Sequence, residues 1–224
     1  MRKLLSIISV STLCAIFLLF SGCAKNGSGY DKVISEIRDN VYVSVVDEWS
    51  FSAVSGEREK NYKTDGIPNG REEFFILTVE GVFTSAPECE FEIEGKTYGG
   101  VMKKHPFNDS YSFEAGAKTN AKEIDVCVKT ANDTFQTVLK TVKTDSTKTA
   151  SYALDTARKE LKETLENHLV NGTFDGEVYI RMIANPVEED GKYFWYVAFC
   201  KSESECYSVL IDCESGAVVA TKGK

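Results

Sequence analysis

Apolar and polar residues alternate with period two over most of the chain, the signature of strands with one buried face. Val41, Val43 and Val45 alternate with Tyr42, Ser44 and Val46, and the pattern resumes over Trp49–Val54. A β-rich run covers Phe74–Phe83 and ends at the turn Ser85-Ala86-Pro87. Cys89, Phe91 and Ile93 alternate with Glu90, Glu92 and Glu94, and Glu94-Gly95-Lys96 then turns the chain into Thr97-Tyr98. Tyr111 and Phe113 share a face, and Ile124, Val126 and Val128 alternate with Asp125, Cys127 and Lys129. Thr130–Asp133 is a turn, and Thr134–Val142 completes a hairpin. Before these strands, Val33, Ile34 and Ile37 stand at helical spacing, which suits one short helix or an entry segment over 31–40. Short strands with turn signals at this spacing point to an antiparallel β-sandwich over 31–142, of immunoglobulin-like type, although the Cys–Trp–Cys signature of a true immunoglobulin domain is missing.

After a Thr- and Lys-rich linker the period changes. Ala150, Leu154, Ala157, Leu161, Leu165 and Leu169 make one apolar stripe and predict a helix over 150–169, closed by Asn171-Gly172. Four strands follow: Glu177–Ile183, Lys192–Cys200, Cys206–Cys213 and Ala217–Thr221. If Cys200 opposes Cys206 across the five-residue loop, then Phe199 opposes Tyr207, Val197 opposes Val209 and Trp195 opposes Ile211. That register gathers the large apolar residues on one side, against the helix. The segment 143–224 is therefore expected to be one helix packed on a small antiparallel sheet, and the whole chain mainly β with an α+β part.

The first thirty residues carry a different signal. Met1-Arg2-Lys3 precedes an apolar run from Leu4 to Phe20, and Ser21-Gly22-Cys23 follows. A positive start, an apolar stretch and small residues at the cut describe a secretory signal over 1–22. With the cysteine directly behind, the segment resembles a lipoprotein signal. The resemblance implies diacylglyceryl modification of Cys23 and removal of the peptide before it. It also implies residence at the cell membrane, lipid-anchored on the extracytoplasmic face. The Gly/Ser-type stretch from Cys23 to residue 30 reads as a flexible tether.

Composition narrows the function. The formal charge is −8. Removing the first 22 residues takes Arg2 and Lys3 with it, leaving 202 residues at −10. Nucleic acid is excluded as a partner, because its phosphates require a basic face. Of seven cysteines, five remain in the body: Cys89, Cys127, Cys200, Cys206 and Cys213. An exported chain keeps disulfides; Cys200 with Cys206 is the favoured pair, and Cys89 with Cys127 a second candidate. No Cys-x-x-Cys spacing, nucleophile turn or Gly-rich phosphate loop occurs. His105 and His168 stand alone. The acidic residues Glu88, Glu90, Glu92 and Glu94 alternate outward along a strand as a solvated face does, and Glu188-Glu189-Asp190 lacks the ordered spacing of a calcium loop. No metal, cofactor or catalytic set is expected.

One further resemblance lies in the C-terminal part. A helix, then Phe194-Trp195-Tyr196-Val197-Ala198-Phe199, then Tyr207–Asp212 and the Asp-x-x-x-Gly-x-Val turn of Asp212, Gly216 and Val218 resemble a PepSY domain over roughly 150–224. The family occurs in protease propeptides and bacterial surface proteins. The resemblance implies binding to a protein or peptide, with restraint of a protease among the roles. Phe194 and Tyr196 lie on the sheet face opposite the helix. That face is expected either to pack against the sandwich or to recognise an extended peptide. The leading expectation is a non-enzymatic protein- or peptide-binding module of the cell envelope. An accessory structural lipoprotein of export or wall maintenance is the alternative, with an envelope enzyme behind it.

Overall fold

The computed structural model describes residues 29–46, 49–60, 63–188 and 190–223. Residues 1–28, which include the expected secretory segment, Cys23 and most of the expected tether, lie outside the described residues. Tyr30, assigned to the tether above, belongs to the folded body. It is buried, stacks on Phe174 at 6.1 Å and meets Phe199 edge-on at 5.7 Å.

A single 3-10 turn, Asp31–Val33, leads into strand β1, Ile34–Val46. Where the spacing suits a helix, 31–40 is thus mainly strand, and the misleading spacing has a local cause. The register against the neighbouring strand shifts between Ile34 and Glu36. The extra residue lets Ile34 and Ile37, three positions apart, pack into the same core.

The N-terminal strands are β2 (Trp49–Glu59), β3 (Arg71–Glu80), β4 (Glu88–Ile93), β5 (Lys96–Val101), β6 (Lys103–Lys104), β7 (Ser110–Ala115), β8 (Glu123–Lys129) and β9 (Thr134–Thr141). They form two antiparallel arms that both start from β1. One runs β2-β3-β7-β6; the other runs β9-β8-β4-β5, joined through Tyr42↔Thr141 and Val43↔Lys140. The arms curl toward each other into a nearly closed, barrel-like sheet, the form that the predicted antiparallel β unit takes here. Its interior holds Tyr42, Phe51, Phe75, Leu77, Phe91 and Leu139. Tyr42 is completely buried, so its hydroxyl needs partners there. It accepts from Asn40 Nδ2 at 2.7 Å and lies 3.0 Å from Ala121 O, and burial pushes its pKa to about 12.

Helix α1 spans Ala150–Glu160, capped by Thr149, whose side chain accepts from the Tyr152 amide at 3.2 Å. A break at Leu161 separates it from α2, Lys162–Glu166. The expected helix to 169 therefore ends early. Leu169–Val170 (β10) and Thr173–Phe174 (β11) pair as a hairpin instead, with Asn171 and Gly172 at φ of 51° and 76°. Asn-Gly tolerates two successive positive φ values, which serves a tight hairpin as well as a helix cap. Next come β12 (Glu177–Ala184), β13 (Tyr193–Ser202), β14 (Glu205–Asp212) and β15 (Val218–Lys222). The β13–β14 register is the expected one throughout, from Trp195↔Ile211 to Cys200↔Cys206. Leu154, Ala157, Leu161 and Leu165 pack on Trp195, Val197, Phe199, Val209 and Ile211. The Trp195 indole N–H donates to Lys148 O at 3.0 Å, tying the helix entrance to the sheet.

The two halves share a strand. β12 pairs parallel to the first part of β1, with Ile34↔Val178, Ile37↔Ile180 and Arg38↔Arg181. One sheet therefore runs β15-β14-β13-β12-β1-β2-β3-β7-β6. At this seam Glu36, 1 % exposed, is bracketed by Arg38 Nη2 at 3.0 Å and Arg181 Nε at 2.6 Å. A buried carboxylate so placed needs its partners, and the two guanidinium groups supply them.

Candidate functional site

Cys200 and Cys206 form a disulfide across the β13–β14 hairpin, with Cα atoms 4.1 Å apart. Cys89 and Cys127 do not pair; both are free. Cys89 opposes Val128 and Cys127 opposes Glu90, so the two side chains leave neighbouring strands on opposite faces. That one-residue offset is invisible in the spacing. The third free thiol, Cys213, is buried beneath the helix; burial and the adjacent Asp212 push its pKa to about 12, which makes it a poor nucleophile.

Phe194 and Tyr196 lie on the face away from α1, as expected. Phe194 is buried at 7 % exposure, whereas Tyr196 is half-buried and packs against Tyr179, Ala198 and Cys200. Residues 63–66, between β2 and β3, reach β12 and β13: the Tyr179 hydroxyl lies 3.1 Å from Lys63 O, and Gly66 packs against Lys201 O. The two aromatics thus do not form one open platform.

The turn after β14 shows what Asp212 and Gly216 do. Asp212 Oδ1 accepts from the amides of Ser215 at 2.7 Å and Glu214 at 3.1 Å, and from Ser215 Oγ at 2.7 Å. These bonds hold its pKa below the ordinary carboxylate value. Gly216 has φ 74°, and a Cβ there would stand 2.6 Å from the Tyr152 ring, so only glycine fits. Tyr152 consequently lies across the turn, 42 % exposed, at the start of β15, where Val218 is 37 % and Val219 55 % exposed.

That strand is an open end of the long sheet. β15 pairs with β14 on one side and has no ladder on the other among the described residues. The remaining strand ends are blunted. β6 is two residues long, both lysines, and β5 carries Gly99 and Gly100 with the Phe113 ring of β7 against Gly100. Short, charged or covered edges prevent strand addition; a five-residue edge with exposed valines invites it.

A cleft of about 490 Å³ opens where the halves meet, lined by Val43, Val142, Met182, Tyr193 and Cys213, with Lys192 and Glu214 among its polar groups. The histidines are ordinary. His168 Nε2 lies 2.9 Å from the Tyr207 hydroxyl, and His105 Nδ1 accepts from the Phe107 amide. No group of three metal-binding side chains occurs among the described residues, and no helix among them is long and apolar enough to cross a membrane. Sequence reasoning missed the buried acids Glu36, Glu59 and Glu177. An acid on the inward side of an alternating strand is the signal that finds such groups.

Comparison with protein-family models, with curated proteins and with solved structures finds no match to this chain.

Proposed function

We propose that the chain is a lipid-anchored, non-enzymatic binding protein of the cell envelope that captures an extended segment of a protein partner along β15. The observation that carries this reading is the asymmetry of the sheet edges. β15 combines free ladder positions with two adjacent exposed valines, and Tyr152 extends the apolar surface beside it, whereas β5, which exposes Val101, has the Phe113 ring against Gly100. An added strand gains main-chain hydrogen bonds from such an edge and side-chain selectivity from its flanks. The acidic body speaks against nucleic acid. The PepSY-like pattern directs the search for a partner toward extracytoplasmic proteases.

A benzophenone amino acid placed at Val219 tests the edge in intact cells. An adduct should form with a distinct protein, and the same probe at Val101, 60 % exposed on β5, should give none. Val219→Lys should abolish capture while changing stability by no more than about 0.5 kcal/mol, as expected of an exposed site. Equal adduct yields at 219 and 101 would dismiss the edge as the binding surface.

The anchor is tested separately. Cys23→Ala should eliminate incorporation of labelled palmitate and leave the signal segment attached. Undiminished labelling of that variant would rule out lipidation at Cys23.

A further inference from the structure

Glu59 ends β2 and Glu177 begins β12. Strand β1 runs between them, paired with β2 through Glu36↔Arg58 and with β12 through Ile34↔Val178. The two acids therefore stand at the same end of three adjacent strands, with Ser35 on the middle one. All three residues are buried, Glu59 at 3 %, Glu177 at 0 % and Ser35 at 0 % exposure. The connection after β2 reaches this end through its amides. Those of Lys63 and Asn69 donate to Glu59, and that of Gly66 donates to Glu177. The Tyr179 hydroxyl donates to Glu177 Oε2.

Amide donors favour the ionised form of a carboxyl, and a buried carboxylate needs a cation beside it. Glu36 has two, Arg38 and Arg181. Glu59 and Glu177 form no ion pair with a lysine, arginine or histidine among the described residues. Arg71 lies directly opposite Glu59 in the β2–β3 ladder, yet its guanidinium turns to Glu57 at 3.5 Å and to Ile34 O at 3.3 Å. Lys201 pairs with Asp175 at 3.4 Å. Burial raises the pKa of both glutamates, and the charges of Glu59 and Asp65 act on Glu177 in the same direction, so the three acids lie close together.

The unmet demand shows in individual atoms. Glu59 Oε1, Glu177 Oε1 and Ser35 Oγ are buried without a hydrogen-bond partner. Only two other buried side-chain atoms among the described residues share that state, Asp39 Oδ1 and Arg158 Nε, so the shortfall is concentrated at this sheet end. Buried polar atoms of a folded chain are ordinarily satisfied by protein, water or an ion.

We propose that this end of the sheet is a calcium site, with Glu59 Oε1 and Glu177 Oε1 as its charged ligands and the Ser35 hydroxyl beside them. The donors are all oxygen, with no thiolate or imidazole, which selects a hard cation over zinc or copper. Two carboxylates balance a charge of two. Magnesium demands a near-ideal octahedron, whereas calcium accepts an irregular set of about six to eight oxygens. With two acid side chains taking part, main-chain and water oxygens complete that shell. The ion ties β2 of the barrel-like half to β12 of the C-terminal half across β1, and it neutralises two like charges that the fold otherwise buries together.

Calorimetry of the full-length chain in detergent tests the site near neutral pH, with calcium chloride against EGTA. An ion that binds the folded chain should raise Tm as its concentration increases. Titration of the chelator-stripped chain with calcium chloride should find one site with Kd at or below about 1 mM, the range of extracellular calcium modules. Glu59→Gln and Glu177→Gln should each weaken that affinity at least about tenfold, since loss of a group merely behind a metal ligand already costs that much. Glu92→Gln, on the exposed side of β4, should bind as the natural chain does. A natural chain whose Tm is the same in calcium and in EGTA would overturn the proposal without recourse to any variant. So would a calcium affinity that survives both Glu59→Gln and Glu177→Gln, because the ion would then sit elsewhere on the acidic surface.

Discussion

Trp195→Ala should be the most damaging single truncation in the C-terminal half, costing about 3–5 kcal/mol, the range for losing a large buried aromatic. Trp195 is 1 % exposed, sits between α1 and the sheet, and ties the helix entrance down through Lys148 O. Truncation leaves a void where Leu154 and Leu161 meet Ile211 and removes the donor to Lys148. The consequence for the rest of the chain is the more informative part. Trp49, in the barrel-like half, becomes the only tryptophan and reports on that half by fluorescence. Because β1 pairs with both β2 and β12, unfolding should spread across the shared strand. Urea transitions by Trp49 fluorescence and by far-UV circular dichroism should therefore coincide and shift together to lower urea. A Trp49 transition left at its original midpoint would show that the halves unfold independently.

The second large effect is expected from the disulfide. Replacing Cys200 and Cys206 with Ala together reopens a short loop, with the two positions six apart in sequence. The chain-entropy estimate for so short a closure is about 2 kcal/mol. For a chain of this size that corresponds to a fall in Tm of roughly 4–8 °C. Calorimetry under non-reducing conditions measures it, and the same fall should appear in the natural chain after reduction. The cost should be modest beside Trp195→Ala, since the β13–β14 register is also held by Val197↔Val209 and Trp195↔Ile211. A double variant with unchanged Tm would mean that the hairpin is equally ordered without its cross-link.

The C-terminal half was the legible half. Its strands alternate cleanly, its helix carries a single apolar stripe, and two cysteines flank a short loop. Those local constraints suffice to give the β13–β14 register residue by residue, because a slip of one would turn Trp195 and Ile211 to solvent. The binding-site reading was only partly legible. Phe194 and Tyr196 do lie on the face away from α1, but the segment that reaches Tyr179 beside them comes from a connection more than a hundred residues earlier. The β15 edge is a property of what stops pairing beside it, which the alternation of Val218–Thr221 does not encode.

By itself, then, the sequence determined the mainly β composition, the positions of most strands, the helix and its buried stripe, the Cys200–Cys206 pairing and the acidic surface. All follow from periods of two or 3.6 residues and from neighbours close in the chain. The tertiary structure alone decided the parallel seam of β1 with β12, the curling of two arms into a near-barrel, and the separation of Cys89 from Cys127. It also decided the burial of Glu36, Glu59 and Glu177. Each of these depends on which distant strand comes alongside and in what register. A bulge of one residue, such as that between Ile34 and Glu36, is enough to make a strand look like a helix along the chain while it pairs on both sides in space.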